Sequence, residues 1–274
     1  MSSDTLPDLI GPYRVTGRLG RGGMGEVLRG YDDRLDRPVA LKRVRAAGRD
    51  PAKARQRFQR EAKIVARLSH PAIVQVYDWE EAEGNDWLVM ELIDGRSLEA
   101  VLADGPLPPG RAAAIAQQIA AGLAVAHEAG LVHRDLKPAN VMVAAGSEGR
   151  DEIKILDFGL AKRVELEPPD DSQAATPSTL TEAGQVVGTT ASMSPEQTLG
   201  WPVDHRSDLF SLGILLYEML SGVSPFKAEG ALHTLNRICS VRETPLRRLD
   251  ARIPAELADL VGRLLEKEPA RRPV

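Results

Sequence analysis

The stretch HRDLKPAN, residues 133–140, places His133, Arg134, Asp135, Lys137 and Asn140 within eight residues. With Pro138 among them, these residues suit neither a regular helix nor a regular strand. The stretch follows an apolar helix-like segment and precedes an apolar run. It therefore reads as a polar loop carried on packed elements, where catalytic groups tend to sit. Just downstream, VMVA (141–144) and EIKIL (152–156) read as two strands joined by the turn AGSEGRD. In an antiparallel pair the entrance of one strand lies beside the exit of the other. Asn140 is thus expected next to Asp157, with Asp135 one short turn away. An amide and a carboxylate converging there suit Mg²⁺, which takes few protein ligands and keeps room for phosphate oxygens.

Two further groups have spacing that could serve the same chemistry. Gly20, Gly22 and Gly25 form G-x-G-x-x-G in LGRGGMGEV. In a dinucleotide fold a helix follows such glycines, but here the following EVLRGYD is strand-like. The alternative is a glycine loop between two strands, lying over phosphates with its backbone N–H groups. Lys42 ends the strand VALK, and Glu61 falls on the apolar face of a helix expected over 51–68, near Phe58, Val65 and Leu68. A carboxylate on an apolar face is costly unless paired, and Lys42 is its natural partner.

The elements that must hold these groups change character along the chain. Residues 1–10 read as a loose tail. YRVTGRLG, GEVLRGYD, RPVALKRV, AIVQVYDWE and DWLVMELI alternate as antiparallel strands, with the 51–68 helix, opened by Pro51, inserted after the third. Beyond 92–97, which carries Asp94-Gly95, helices dominate. Residues 111–129 show an Ile115/Ile119/Leu123 stripe ended by Gly130, 207–221 are apolar on nearly all faces, and 254–267 are amphipathic. The reading is α+β: a small antiparallel β-rich part with one helix, then a larger, mainly helical part, with ligand binding between them. Residues 163–185 form a long polar segment rich in Pro, Ser, Thr and acids, of the kind that is functional or disordered.

Composition sets outer bounds. The chain has 274 residues, 43% hydrophobic and 27% charged, enough for one large domain or two small ones. A net charge of −4 argues against a dedicated nucleic-acid binder. The single cysteine, Cys239, rules out an internal disulfide framework and fits a reducing compartment. No apolar run is long enough to span a bilayer, and the start lacks the regions of a signal peptide, so a cytoplasmic location is expected.

The ordered set Gly20-x-Gly22-x-x-Gly25-x-Val27, VALK, Glu61, HRDLKPAN, DFG and SPE resembles the protein kinases. The resemblance covers about residues 13–274, nearly the whole chain. Lys137, two residues after Asp135, looks like the Ser/Thr class, and SHPAIVQVYD and GTTASMSPEQ resemble bacterial kinases of the eukaryotic-like, Hanks type. The resemblance implies a two-lobed fold, with a tail over 1–12, an N-lobe over 13–93 and a C-lobe over 94–274. It implies transfer of the γ-phosphate of ATP to Ser/Thr hydroxyls of protein substrates, with Mg²⁺ or alternatively Mn²⁺. Asp135 would orient or accept the hydroxyl proton, and Lys137 would neutralise charge on the transferred phosphate. Asn140 and Asp157 would hold the metal, and Lys42, fixed by Glu61, would grip the α- and β-phosphates. By similarity Leu19, Val27, Ala40 and Met142 would sandwich the adenine, with Met90 as gatekeeper and the backbone of Glu91 and Ile93 bonding its edge.

Regulation is implied as well. Arg134, with Lys162, would bind a phosphate on the polar segment, and Thr176, Ser178, Thr179 and Thr181 are candidate acceptors. Thr179 and Thr181 are favoured for autophosphorylation. Thr189 resembles the threonine that bonds the catalytic aspartate. Glu196 would pair with Arg272, and Asp208 would anchor the catalytic loop. Dimerisation through the β-rich part is an analogy with the family. The chain departs from the pattern at Ser192, where many relatives have Tyr, and at Ser194, and it stops at RRPV, before a last helix the family usually carries. Two rival readings are a kinase fold that binds nucleotide and scaffolds partners without transfer, and a small-molecule phosphotransferase.

Overall fold

The computed structural model describes residues 6–22, 25–44, 56, 59, 62–82, 84–146, 149–158 and 190–273. Its first part is an antiparallel sheet of β1 (Leu9–Ile10), β2 (Tyr13–Gly22), β3 (Gly25–Asp32), β4 (Arg37–Val44), β5 (Val76–Ala82) and β6 (Asn85–Glu91), in the order β1-β2-β3-β4-β6-β5. The strands form because both faces of the sheet are covered. Ile10, Tyr13, Leu28, Val39, Leu41, Trp87 and Val89 make an outer cluster. Ala40, Val76, Leu88 and Met90 join the main core on the other face.

Two features differ from the sequence expectation. Leu9–Ile10, read as tail, pairs with β2 because Ile10 completes the outer cluster. The strand expected from Ala72 begins at Val76. Residues 72–75 are drawn instead to a second sheet, where the backbone of Ala72 and Val74 bonds Ile155 at 2.8 and 3.0 Å. Of the expected 51–68 helix, the described residues 56, 59 and 62–65 are helical and the chain turns at 66–67.

The second sheet is three-stranded and antiparallel: β7 (Gly95–Ser97), β8 (Val141–Ala145) and β9 (Asp151–Ile155). Helices follow the same logic of buried stripes and local caps. α1 (Leu98–Leu102) is capped by the Ser97 side chain. α2 (Pro109–Glu128) buries Ile115, Ile119 and Leu123, as its stripe predicts, and the chain turns away at Gly130 with φ +74°. α3 (Pro195–Leu199) carries a reciprocal capping box between Ser194 and Gln197. α4 (Arg206–Ser221) is buried along nearly its whole length. α5 (Ala231–Ser240), α6 (Leu246–Leu249) and α7 (Ala255–Leu264) follow. α7 is shorter than the expected 254–267.

Two contacts lock the helical part. At Gly213 of α4 an added Cβ would lie 2.8 Å from Leu264 Cβ and 3.0 Å from Leu265 Cδ2, so glycine lets α4 and α7 approach closely. Arg272 closes a bidentate ion pair on Glu196, at 2.6 and 2.9 Å, while also donating to the carbonyls of Arg206 and Glu266. Both partners are almost wholly buried, Glu196 at 2% and Arg272 at 4% exposure. Burial pushes the Glu196 carboxyl up, but the Arg272 guanidinium and the Ser207 hydroxyl outweigh it, so its pKa lies below the ordinary 4.5.

These contacts generate two stability predictions. Gly213→Ala overpacks the α4–α7 seam and is expected to cost about 1–3 kcal/mol, read as a lower urea midpoint at unchanged slope. Arg272→Met strands a buried carboxylate and is expected to cost about 3–5 kcal/mol, with part recovered when Glu196→Gln is added. Because the Glu196 pKa is depressed on folding, its contribution is present above about pH 4.5 and is lost as pH falls further. Glu196→Gln should therefore flatten the acid limb of stability against pH, measured by urea unfolding at stepped pH.

Candidate active site

The loop 133–140 is held from behind by one carboxylate. Asp208, in the first turn of α4, is fully buried. Its Oδ2 accepts the His133 backbone N–H at 2.8 Å and meets His127 Nε2 at 2.7 Å, and its Oδ1 accepts the Arg134 N–H at 2.9 Å. Turning both amides toward one carboxylate requires an unusual backbone, and Arg134 has φ +63°. A non-glycine residue there stores of order 1–3 kcal/mol of strain, which these bonds hold. From the other side Gln197 Nε2 donates to the Arg134 carbonyl at 2.8 Å, tying α3 to the same turn.

Asp135 follows directly and is 5% exposed. Its Oδ2 receives Lys137 Nζ at 2.9 Å and Asn140 Nδ2 at 3.2 Å, and Asn140 Nδ2 also donates to the Asp135 carbonyl at 2.8 Å. Both NH₂ hydrogens of Asn140 are thus directed at Asp135, and the amide oxygen is its ligand-type atom. The Leu156 N–H donates to the Asn140 carbonyl at 2.8 Å, so the hairpin brings Asn140 beside the residue preceding Asp157, as its geometry predicts. Asp157 also has a positive φ, +56°. His133 braces this junction, its Nε2 lying 2.9 Å from the Leu156 carbonyl and its ring 4.8 Å from that of buried Phe158.

The β-rich part supplies the opposing wall. In the register of β3, β4 and β6, Val27, Lys42 and Leu88 are cross-strand neighbours, with Ala40 and Met90 one pair further along the same face. Gly20 pairs with Val27. Leu19 on β2 is half exposed, and Met142 lies on β8 opposite Lys154. Lys42 Nζ reaches across to Asp157 Oδ2 at 2.5 Å. The structure therefore brings Lys42 to Asp157 directly. Glu61, Lys162, Thr176, Ser178, Thr179, Thr181 and Thr189 lie outside the described residues.

The donor chemistry fits a hard divalent ion and phosphates. Among the described residues no three His, Cys, Asp or Glu side chains form a closed cage. One amide oxygen and one carboxylate beside a lysine leave room for phosphate ligands. The glycines fit the same use. A Cβ at Gly20 would meet nothing within 4 Å, so its backbone faces open space, whereas Gly25, at φ +132°, could not carry one without striking the Arg43 carbonyl at 2.7 Å.

Several supporting residues escaped the sequence reading. His127 and Gln197 both hold the loop. The Ser194/Gln197 spacing is a capping-box signature legible in the sequence, although the reach of Gln197 to Arg134 is not. The Lys154–Glu91 pair, at 2.8 Å, had no local signal at all.

Comparison with known proteins agrees with this geometry. The family model described as "Protein kinase domain" matches residues 13–274. The serine/threonine-protein kinase pkn2 of Myxococcus xanthus is 42% identical over 267 residues, covering 97% of this chain and 31% of that protein. The serine/threonine-protein kinase PknD of Mycobacterium tuberculosis is 38% identical over 275 residues, covering 98% of this chain and 39% of that protein. The chain thus spans about a third of the length of these curated relatives. Among solved structures, the Mycobacterium tuberculosis PknI kinase domain superposes with a TM-score of 0.71 at 28% identity, covering 98% of this chain and 94% of that one. No described helix is long and apolar enough to cross a membrane. Family members use ATP with a divalent metal, and the chain belongs to the protein kinase family.

Proposed function

We propose that this chain transfers the γ-phosphate of ATP to serine or threonine hydroxyls of protein substrates. The observation that carries the reading is the convergence of Asp135, Lys137 and Asn140 on one buried loop facing a Lys42–Asp157 pair. Phosphoryl transfer needs positioning and charge neutralisation more than covalent chemistry by the protein. Asp135, fixed by Lys137 and Asn140, orients the acceptor hydroxyl and takes its proton. Lys137, 2.9 Å from that carboxylate, is placed to follow the phosphate as it moves. Lys42 holds the α- and β-phosphates. Asn140 and Asp157 would hold Mg²⁺, which supplies neutralisation of β- and γ-phosphate charge when bound.

The adenine is assigned to the space between the 13–93 and 94–274 lobes. Leu19, Val27, Ala40 and Met142 lie on its faces, and the backbone of Glu91 and Ile93 bonds its edge behind Met90. Glu61 is taken as the partner that orients Lys42 once Asp157 is engaged elsewhere. Arg134 and Lys162 are the proposed receivers of a phosphate on Thr179 or Thr181, with Thr189 bonding Asp135. A reducing, cytoplasmic setting is supported by the single cysteine. The names of the relatives, together with Lys137, support protein Ser/Thr acceptors.

Purified chain with γ-labelled ATP·Mg²⁺ tests this. Label is expected on a Ser/Thr protein acceptor and on Thr179 or Thr181, mapped by mass spectrometry, and not on small-molecule alcohols. Asp135→Asn should lower kcat by about 10²–10⁴-fold while leaving nucleotide affinity nearly intact. Nucleotide binding without any transfer would establish the scaffold reading instead.

A further inference from the structure

The peptide plane that joins Arg134 to Asp135 is gripped at both of its polar ends. Its N–H, that of Asp135, donates to His133 Nδ1 at 3.2 Å. Its carbonyl, that of Arg134, accepts Gln197 Nε2 at 2.8 Å. The first bond fixes the His133 tautomer. Nδ1 acts as an acceptor there, so Nε2 carries the proton and donates to the Leu156 carbonyl at 2.9 Å.

The second bond comes from a helix 63 positions away in sequence. Gln197 is 6% exposed and uses both ends of its amide. Oε1 accepts the Ser194 N–H at 2.9 Å, and the Gln197 backbone N–H donates to Ser194 Oγ at 3.3 Å. These two bonds are the capping box, and it needs only an acceptor from the side chain, so Glu would serve it as well as Gln. What distinguishes Gln is the NH₂ group. Here that group is spent on the loop carrying Asp135 and not on the cap.

The plane matters because Asp135 leaves the backbone from it. Lys137 and Asn140 hold the Asp135 carboxylate at Oδ2. Asp208 holds the His133 and Arg134 amides, which precede this plane. Gln197 supplies the tie on the Arg134 carbonyl, next to a backbone strained at φ +63°. Without that tie the plane can rock, and the carboxylate turns with it.

We propose that Gln197 is a positioning residue for phosphoryl transfer: its side-chain N–H sets the aim of the Asp135 carboxylate through the Arg134 carbonyl. This rests on the reading above that Asp135 orients the acceptor hydroxyl and takes its proton. The bonds of Gln197 go to Ser194 and Arg134, away from Lys42, Asn140 and Asp157. The expected signature is a slower transfer step at unchanged nucleotide affinity.

The test uses the full 274-residue chain. Single-turnover transfer from ATP·Mg²⁺ to a Ser/Thr protein acceptor is measured beside the affinity for a fluorescent ADP analogue and thermal unfolding. Gln197→Met keeps the length of the side chain and removes both amide ends. It should slow transfer about tenfold, with analogue affinity within about twofold. Ser194→Ala removes the Oγ half of the cap and leaves the Arg134 bond. It should lower the melting temperature and keep transfer within about twofold. Gln197→Glu separates donor from acceptor. A neutral carboxyl offers one acceptor and one O–H donor, as the amide does, whereas a carboxylate only accepts. The transfer rate of Gln197→Glu relative to the unmodified chain should therefore rise as pH falls from about 8.5 to about 5.5. A capping role favours the carboxylate at a helix N-terminus and gives the opposite slope. In Asp135→Asn the group being aimed is gone, so adding Gln197→Met should slow the residual rate no further. Undiminished transfer in Gln197→Met would overturn the proposal. So would an equal loss in Ser194→Ala, a flat or falling ratio toward acid in Gln197→Glu, or a full further loss in the double variant. If the unmodified chain transfers nothing, the transfer reading fails and takes this inference with it. If it transfers and Gln197→Met keeps pace, the inference alone fails.

Discussion

The arrangement of this molecule depends on a single buried carboxylate. Asp208 has no exposure to solvent, and an ion in such a place is sustained only by donors. It has three, the His133 and Arg134 amides and the His127 ring. Their convergence sets the shape of the loop that carries Asp135. It works because Asp208 sits on the most enclosed helix, whose own position is fixed by packing on nearly every side. Its neighbours on that helix extend the role. Ser207 donates to Glu196, and Ser211 donates to the Ser192 carbonyl at 2.9 Å. One helix face therefore positions the Asp135 loop, the residues just before α3 and the first turn of α3 itself.

The opposing wall is organised by charge. Lys42 on β4 and Asp157, two residues beyond the end of β9, meet in a direct pair, each about a fifth to a quarter exposed. An isolated pair with that much water access contributes little net stability. Exchanging it for a phosphate and a cation therefore loses little. On the proposed reading, the site holds opposite charges ready for a polyanion and its counter-ion, without a deep well to climb out of first.

Much of this was legible in the sequence, for identifiable reasons. HRDLKPAN declared itself because so many polar types between two apolar runs have no cheaper explanation. Asn140 and Asp157 were placed together by strand pairing alone, a short-range inference. The α2 stripe and the enclosure of α4 follow from periodicity. What stayed hidden depends on partners distant in sequence. Ile10 looked like tail because its partners, Val39, Leu41 and Val89, lie far along the chain. Residues 72–75 have the composition of a strand and are drawn to β9 by backbone bonds that no local pattern records. The direct Lys42–Asp157 contact spans 115 positions, and helical-wheel reasoning about Glu61 could not reveal it.

The Glu196–Arg272 pair has a consequence in time as well as in space. Its partners are separated by 76 residues. At synthesis rates of about 5–20 residues per second, roughly 4–15 s pass between the making of one partner and of the other. For that interval α3 carries a carboxylate that cannot be buried without its cation. Only with Arg272 can Glu196 be buried as a pair. In a nascent chain this buried pair, beside the loop that carries Asp135, is therefore among the last contacts to form.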